Sequence, residues 1–307
     1  MKSLVVTAED EGVRLDRFFK RHFNGLSNND LQRRIREKYI KVNSKKTTCN
    51  YRLTVGDVVT YPDNLGEENR EENKKNVTLT KEEEEKIQSW VIYKDNDIIA
   101  INKPAGIAVQ GGTKQTTHID SMLSALSFGL RRPKLVHRLD KDTSGVLILA
   151  RNDLAAAWLT GAFRERTIHK AYYAVLDGQL DKKSGIINAP LRKKMIGNQE
   201  LVIVDEQTGD EAITKFKVIS SCNLATLVKF LPLTGRTHQL RVHSKYIGHP
   251  ILGDRKYSST NRKRLLLHAA EIDIPFNEKM IKIIAPIPSY MREAAQELGL
   301  EIGDEIK

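Results

Sequence analysis

The residues best equipped for chemistry stand in one run, Val136-His137-Arg138-Leu139-Asp140-Lys141-Asp142-Thr143-Ser144-Gly145, which leads into the apolar stretch Val146-Leu147-Ile148-Leu149-Ala150. A polar turn ahead of a buried strand is held in place by that strand, and functional groups tend to sit on loops supported this way. By itself Asp140 reads as an ordinary turn carboxylate paired with Arg138 or Lys141. Other runs shift that reading. Asn102-Lys103-Pro104-Ala105-Gly106 ends a strand-like segment, Lys170-Ala171-Tyr172-Tyr173-Ala174-Val175 presents aromatic residues, and 234–243 (TGRTHQLRVH) packs two arginines and two histidines into ten positions. Two further runs, 248–257 (GHPILGDRKY) and 264–269 (RLLLHA), follow. A hydrolase working with two opposed carboxyls needs a second acid, and Asp142, two positions from Asp140 in a turn, is poorly placed for that. His238, His243 and His249 lack a carboxylate or cysteine to complete a metal set, so they read as hydrogen-bonding residues and no metal site is expected. Neither a glycine-rich dinucleotide fingerprint after a strand nor a P-loop is present, so no nucleotide cofactor is expected.

These motifs need a scaffold, and the chain from Trp90 to about Leu300 supplies one. Residues 91–106 give two apolar strand-like runs on either side of a polar turn, Asp95-Asn96-Asp97. Residues 118–130 and 154–163 carry helical spacing, 146–150 form a continuous buried strand, and 169–178 read as another strand. Strands outnumber helices and short turns join several of them. The fold class this predicts is α+β, with a mixed, largely antiparallel sheet around a central cleft rather than a doubly wound parallel sheet.

The whole chain carries 50 Lys plus Arg against 39 Asp plus Glu, a formal charge of +11. A surplus of this size favours polyanionic partners, nucleic acid before an anionic membrane. No stretch approaches the roughly 18 consecutive apolar residues of a spanning helix. Glu9 and Asp10 precede any long apolar region, so no signal peptide is expected either. Cys49 and Cys222, the two cysteines, suit a reducing cytosol and leave no disulfide framework.

The charge is unevenly spread. Residues 12–61 hold 12 Lys plus Arg against 4 Asp plus Glu, while 62–86 hold 5 against 9. The acidic stretch has Pro62, Gly66 and four consecutive glutamates, buries little, and reads as a linker with a helical turn near Glu82–Lys86. In the basic segment, Val13, Leu15, Phe18, Phe19 and Phe23 recur at helical spacing, as do Leu31, Ile35 and Tyr39, and short strands follow up to Tyr61. Arg33, Arg34, Arg36 and Lys38 lie on the second of these helices, with Arg14, Arg17, Lys45 and Lys46 around it. One charged helix is usually a solvated face; this many cations in so small a unit point to RNA or DNA binding.

Two resemblances follow from these residues. RLDRFFKRHFNGLSNNDLQRRIREKYIKVNSKKTTCNYRLTVGDVVTYP (14–62) resembles an S4 domain, a small α-β RNA-binding module. HRLDKDTSG, with NKPAG, KAYYAV, TGRTHQLRVH, GHPILGD and RLLLHA in that order, resembles the pseudouridine synthases related to the ribosomal large subunit enzymes, and the AVQGG run (108–112) is nearer the C-type branch than the D-type. The resemblances imply an S4 domain at 12–61, an acidic linker at 62–87 and a catalytic domain at 88–307. They also imply a cytoplasmic, monomeric enzyme that needs no cofactor and isomerises uridines of large subunit (23S) ribosomal RNA. The competing reading keeps the fold but not the reaction, as a non-catalytic RNA-binding protein of ribosome assembly.

By the same resemblance, Asp140 is the catalytic carboxylate, acting either at C1′ of the target nucleotide or on the C2′ proton. A carboxylate in a water-poor cleft needs a cation to stay charged, and Arg241 matches that role, with Arg236 as the less favoured candidate. Tyr172 would stack on the uracil and Leu267 would close the apolar side of the base pocket. Arg138 would fill the space left when the target base is flipped out.

Overall fold

A computed structural model describes residues 1–303 apart from 24, 25, 27, 64, 66–78, 112–116, 198, 259–261, 277 and 278. The chain divides into two compact units, Met1–Val77 and Thr78–Lys307. Most of the expected acidic linker lies outside the described residues.

The smaller unit contains β1 (Lys2–Val5), α1 (Leu15–His22), α2 (Asn28–Arg36), β2 (Lys41–Val42) and β3 (Val58–Tyr61). β3 lies between β1 and β2 in an antiparallel sheet. Leu15, Phe18 and Phe19 fall three and four apart, so α1 presents one apolar stripe. That stripe joins Leu31 and Ile35 of α2 in a core with Ile40, Val42 and Val59. β1 was not anticipated from the sequence. Its side chains are largely exposed, so it shows no alternation, and its place is fixed by backbone pairing from Lys2↔Tyr61 to Val5↔Val58.

The larger unit opens with α3 (Lys81–Gln88), begun by a capping box between Thr80 and Glu83. After it come β4 (Val91–Lys94), β5 (Ile98–Lys103), α4 (Ile119–Met122), β6 (Lys134–Leu135), β7 (Ser144–Ala150), α5 (Asp153–Glu165) and β8 (His169–Asp177). The chain continues through β9 (Ser184–Asn188), β10 (Leu191–Ile196), β11 (Gln199–Val204), β12 (Ile213–Ser221) and β13 (Ala225–Pro232). It ends with α6 (Gln239–Tyr246), β14 (Leu267–Phe276), β15 (Lys279–Ile284) and α7 (Ser289–Glu297). Among the described residues, the main sheet runs β4-β5-β7-β14-β8-β13-β12-β9, with β15 on β14 and β6 on β7. Every pairing is antiparallel except a two-residue parallel contact, His268↔Ser144 and Ala269↔Gly145. This is the mixed, largely antiparallel α+β arrangement expected.

The apolar run of β7 is continuous because the strand is covered on both faces. Val146, Ile148 and Ala150 pack with Ala155, Leu159 and Ala162 of α5, while Leu147 and Leu149 pack with Ile119, Leu123 and Leu126 on the other side. A fully buried leucine such as Leu159 contributes on the order of 2 kcal/mol. The parallel contact is equally specific. Gly145 has φ +115°, and a Cβ there would collide with the Ala269 carbonyl, so this approach of β7 to β14 requires glycine. It brings the turn carrying Asp140 against the start of β14, where Leu267 stands.

Two helices differ from the sequence expectation. Residues 118–130 form only the single turn α4 followed by a 3-10 turn, Leu123–Leu126. α6 was not foreseen, because Gln239 through Ser244 are all buried, polar and apolar alike, and such a helix has no amphipathic period to read.

Candidate active site

The Asp140 turn is fastened from three sides. His137 Nε2 accepts from Ile148 N–H at 2.8 Å and its ring stacks on Phe163 at 4.4 Å. Burial pushes this imidazole down to about 3, so it is neutral and serves as an anchor. Behind the turn, fully buried Lys103 donates from Nζ to the carbonyls of Pro104 (2.8 Å), Ile107 (2.9 Å) and Lys141 (3.1 Å). Burial lowers this amine to about 8, and the charges of Asp142 and Asp140 pull the other way. At the start of β7, the Ser144 hydroxyl lies 2.9 Å from His268 Nδ1 and 3.2 Å from the Tyr290 hydroxyl. Asp140 thus rides on a turn tied to NKPAG, β7 and β14.

Facing it is α6. Arg241 donates from Nε and Nη2 to the two carboxylate oxygens of Asp254, at 2.7 and 2.6 Å, in a buried bidentate pair. Asp254 Oδ1 also accepts from the backbone N–H of Lys256 and Tyr257. The remaining Nη1 of Arg241 lies 3.8 Å from Asp140 Oδ2, and His238 Nε2 lies 4.0 Å from the same oxygen. Burial opposes the charge of Arg241, but the Asp254 hydrogen bonds outweigh it and raise the guanidinium further. Arg241 thus forms the expected ion pair with Asp140. Arg241 is the nearby cation, yet its strong bonds go to Asp254, which holds the fork so that one nitrogen faces Asp140. Arg236 turns away, toward Asp210 at 3.6 Å and the Glu211 carbonyl. Asp254 was missed as a functional residue. Gly253 before it has φ +78° and lies against the Arg264 backbone, in a turn with no room for a side chain.

These groups open into a cleft of about 410 Å³ lined by Arg138, Asp140, Tyr172, His238, Arg241 and Leu267, among others. Alternation along β8 sends Lys170 and Tyr172 into the cleft and Tyr173 into the core beside Val175 and Met291. Burial, with the Asp140 charge second, pushes the Tyr172 hydroxyl above its usual range, so it stays protonated. Arg138 is exposed at the rim. The structure thus gathers all five sequence-predicted cleft residues. The other two histidines of the trio make protein hydrogen bonds, His243 to Thr214 and the Ala189 carbonyl, and His249 to the Asp177 carbonyl. Among the described residues, no group of His, Cys, Asp and Glu is arranged to hold a metal ion.

In the smaller unit, Arg17, Arg36, Lys38, Lys45 and Lys46 are exposed, and Arg14 pairs with Asp16 at 2.7 Å. Arg33 is exposed and reaches Asp30 at 2.6 Å. Arg34 requires a correction. It is buried, at 6% exposure, and its Nε donates to Asp30 Oδ2 at 2.8 Å, so it does not stand on a surface available to RNA.

The chain belongs to the RNA pseudouridylate synthases, and its cleft is lined by a carboxylate, a shared arginine and an aromatic strand residue. The family model described as RNA pseudouridylate synthase matches residues 97–246. Ribosomal large subunit pseudouridine synthase C of Vibrio vulnificus is 35% identical over 94% of this chain and 93% of its own. The enzyme of the same name from Rickettsia conorii is 38% identical over 90% of this chain and 94% of its own. Human RNA pseudouridylate synthase domain containing 4 superposes with a TM-score of 0.63 at 26% identity, covering 72% of this chain and 97% of that one. Among the described residues no helix is long and apolar enough to cross a membrane.

Proposed function

We propose that this enzyme converts specific uridines of large subunit ribosomal RNA to pseudouridine in the cleft between the 136–145 turn and α6. The observation that carries the reading is Asp140 set 3.8 Å from a guanidinium that Asp254 holds by two hydrogen bonds, in a cleft of about 410 Å³. Asp140 is the catalytic carboxylate. Nucleophilic attack at C1′ and removal of the C2′ proton both use its carboxylate oxygens, one of which lies 3.8 Å from the Arg241 guanidinium. Tyr172 stacks on the uracil, Leu267 closes the apolar wall, and Arg138 at the rim occupies the stack that the flipped base has left. Residues 12–61 act as an S4 module that binds folded RNA, the acidic stretch before α3 links it to the larger unit, and chemistry resides in that unit. The protein works as a monomer in the cytoplasm.

Asp140→Asn tests the assignment. It should abolish pseudouridine formation at sites mapped in large subunit ribosomal RNA, with RNA affinity changed by less than about threefold, because one neutralised carboxylate removes chemistry but few contacts. Turnover retained above a tenth of wild type would remove Asp140 from the mechanism.

A further inference from the structure

His238 is held with unusual care for a residue given no role above. It precedes α6 with φ +53°, in the left-handed region that few residues other than glycine, asparagine, aspartate and histidine enter. The loop around it is locked by Gln239, whose Oε1 accepts from Thr234 (2.7 Å) and Arg236 N–H (3.0 Å) and whose Nε2 donates to the Ile213 carbonyl and the Thr214 hydroxyl. The imidazole is fixed as well. Tyr257 Oη accepts from Val202 N–H at 3.1 Å and lies 2.7 Å from His238 Nδ1. With the Tyr257 hydroxyl donating, Nδ1 accepts and Nε2 carries the hydrogen, which is the tautomer the inference uses. That Nε2–H faces the cleft, 4.0 Å from Asp140 Oδ2, too far for a direct hydrogen bond. Burial lowers the imidazole's proton affinity, with Arg241 and Lys256 acting in the same direction against Asp140 and Asp254, which favours the neutral tautomer.

We propose that His238 is a further catalytic residue, donating its Nε2–H to O2 of the target uracil as the glycosidic bond breaks. This rests on the reading of Asp140 above. Whether Asp140 bonds to C1′ or takes the C2′ proton, the electron pair of C1′–N1 leaves with the base, and the charge spreads from N1 onto the adjacent O2. O2 is the base oxygen nearest C1′, so a donor about 4 Å from the attacking carboxylate stands where that charge develops. No proton leaves His238. On rejoining, C5 bonds to C1′ while Asp140 departs or C2′ regains its proton; C5 then loses one proton and N1 gains one, which completes an isomerisation. The donor is set in place before reaction by Tyr257 and the turn that Gln239 locks.

The test uses the full chain and an RNA fragment spanning a uridine mapped as above, with single-turnover rates at saturating RNA. Glycine adopts positive φ freely, so His238→Gly preserves the turn and removes only the imidazole. It should keep the melting temperature and RNA affinity yet slow the reaction about 10²-fold, the size expected for one lost donor to a developing oxyanion. His238→Gln, which restores an N–H near Nε2, should recover about tenfold of that loss. Replacing the target with 2-thiouridine, whose sulfur is a weak acceptor, should slow the wild-type enzyme but add little to the loss in His238→Gly. If His238→Gly reacts at the wild-type rate while Asp140→Asn is dead, His238 merely shapes the turn and the proposal is overturned. Multiplying penalties from His238→Gly and sulfur overturn it too. An active Asp140→Asn instead overturns the reading on which it rests.

Discussion

In the smaller unit one carboxylate, Asp30, holds two arginines, Arg33 at 2.6 Å and Arg34 at 2.8 Å. The cleft reverses that ratio: one arginine, Arg241, bonds twice to Asp254 and faces Asp140 at 3.8 Å. Both clusters include buried charge, and neither could stay buried unpaired. In the first, burial pushes the Asp30 carboxyl up, but the bonds from Arg34 and Arg33 win and hold it below the usual carboxylate range. Its carboxylate is consumed in fixing helix α2. In the second, Asp254 fixes the arginine, and Asp140 is left near a rigid positive charge without a direct bond to it. With only longer ion-pair contacts to Arg241 and His238, Asp140 stays open to the cleft, which suits reaction. The difference teaches that burial and pairing do not separate a structural ion pair from a reactive one; the spare partner does.

Removing Arg241 gives the largest expected effect. Arg241→Met leaves Asp254, fully buried, without its fork and Asp140 without its nearby cation. Urea unfolding should show a loss of about 3–5 kcal/mol, and pseudouridine formation at neutral pH should fall nearly as far as in Asp140→Asn. Normal activity in this variant would mean that another cation stabilises Asp140 and that the second cluster is only structural.

Lys103 sharpens the comparison as a buried cation bonded to carbonyls alone. Its folded proton affinity is lowered from 10.5 to about 8 by burial, so between those pH values the unfolded chain binds the extra proton. Stability from this group therefore rises as pH climbs from about 8 to 10.5 and is lost as pH falls back. Against Lys103→Met, wild type should gain about 3 kcal/mol more across that window. Parallel unfolding curves from pH 8 to 10 would show that Lys103 is not desolvated.

How much of this was legible depends on the kind of signal. The Asp140 turn and β7 were readable because a strand covered on both faces leaves a continuous apolar run behind a polar turn. Tyr172 and Tyr173 separate by simple alternation along β8. Asp254 was not readable as a partner of Arg241, because pairing between distant motifs leaves no periodic trace. Arg34 carried a signal that was passed over: it stands four residues after Asp30 and three after Leu31, on the buried stripe. Counting cations on a helix without placing them on its faces turned a structural arginine into a candidate RNA contact.

That error is testable. Arg34→Met should destabilise the smaller unit by about 1–3 kcal/mol, since Asp30 keeps Arg33 but loses a buried donor. The dependence of RNA affinity on salt should not change. A flatter salt dependence with unaltered stability would return Arg34 to the RNA-binding surface.

The exposed cations of the same unit give the smallest effect on stability and the opposite pattern. Arg36, Lys45 and Lys46 are exposed, and no carboxylate among the described residues pairs with them. If residues 12–61 bind RNA, these side chains neutralise phosphates and release counterions. Each contact then contributes about 0.7–0.9 to the slope of log affinity against log salt. Changing all three to alanine should flatten that slope by about 2–3, while stability stays within about 0.5 kcal/mol. The single-turnover rate at saturating RNA should hold, because the reacting groups belong to the other cluster. A salt titration and a single-turnover assay on the triple variant read these separately. An unchanged slope would make this patch a solvated face. A fallen rate at saturation would mean that the smaller unit helps build the active site, and the division between a unit that binds and a unit that reacts would fail.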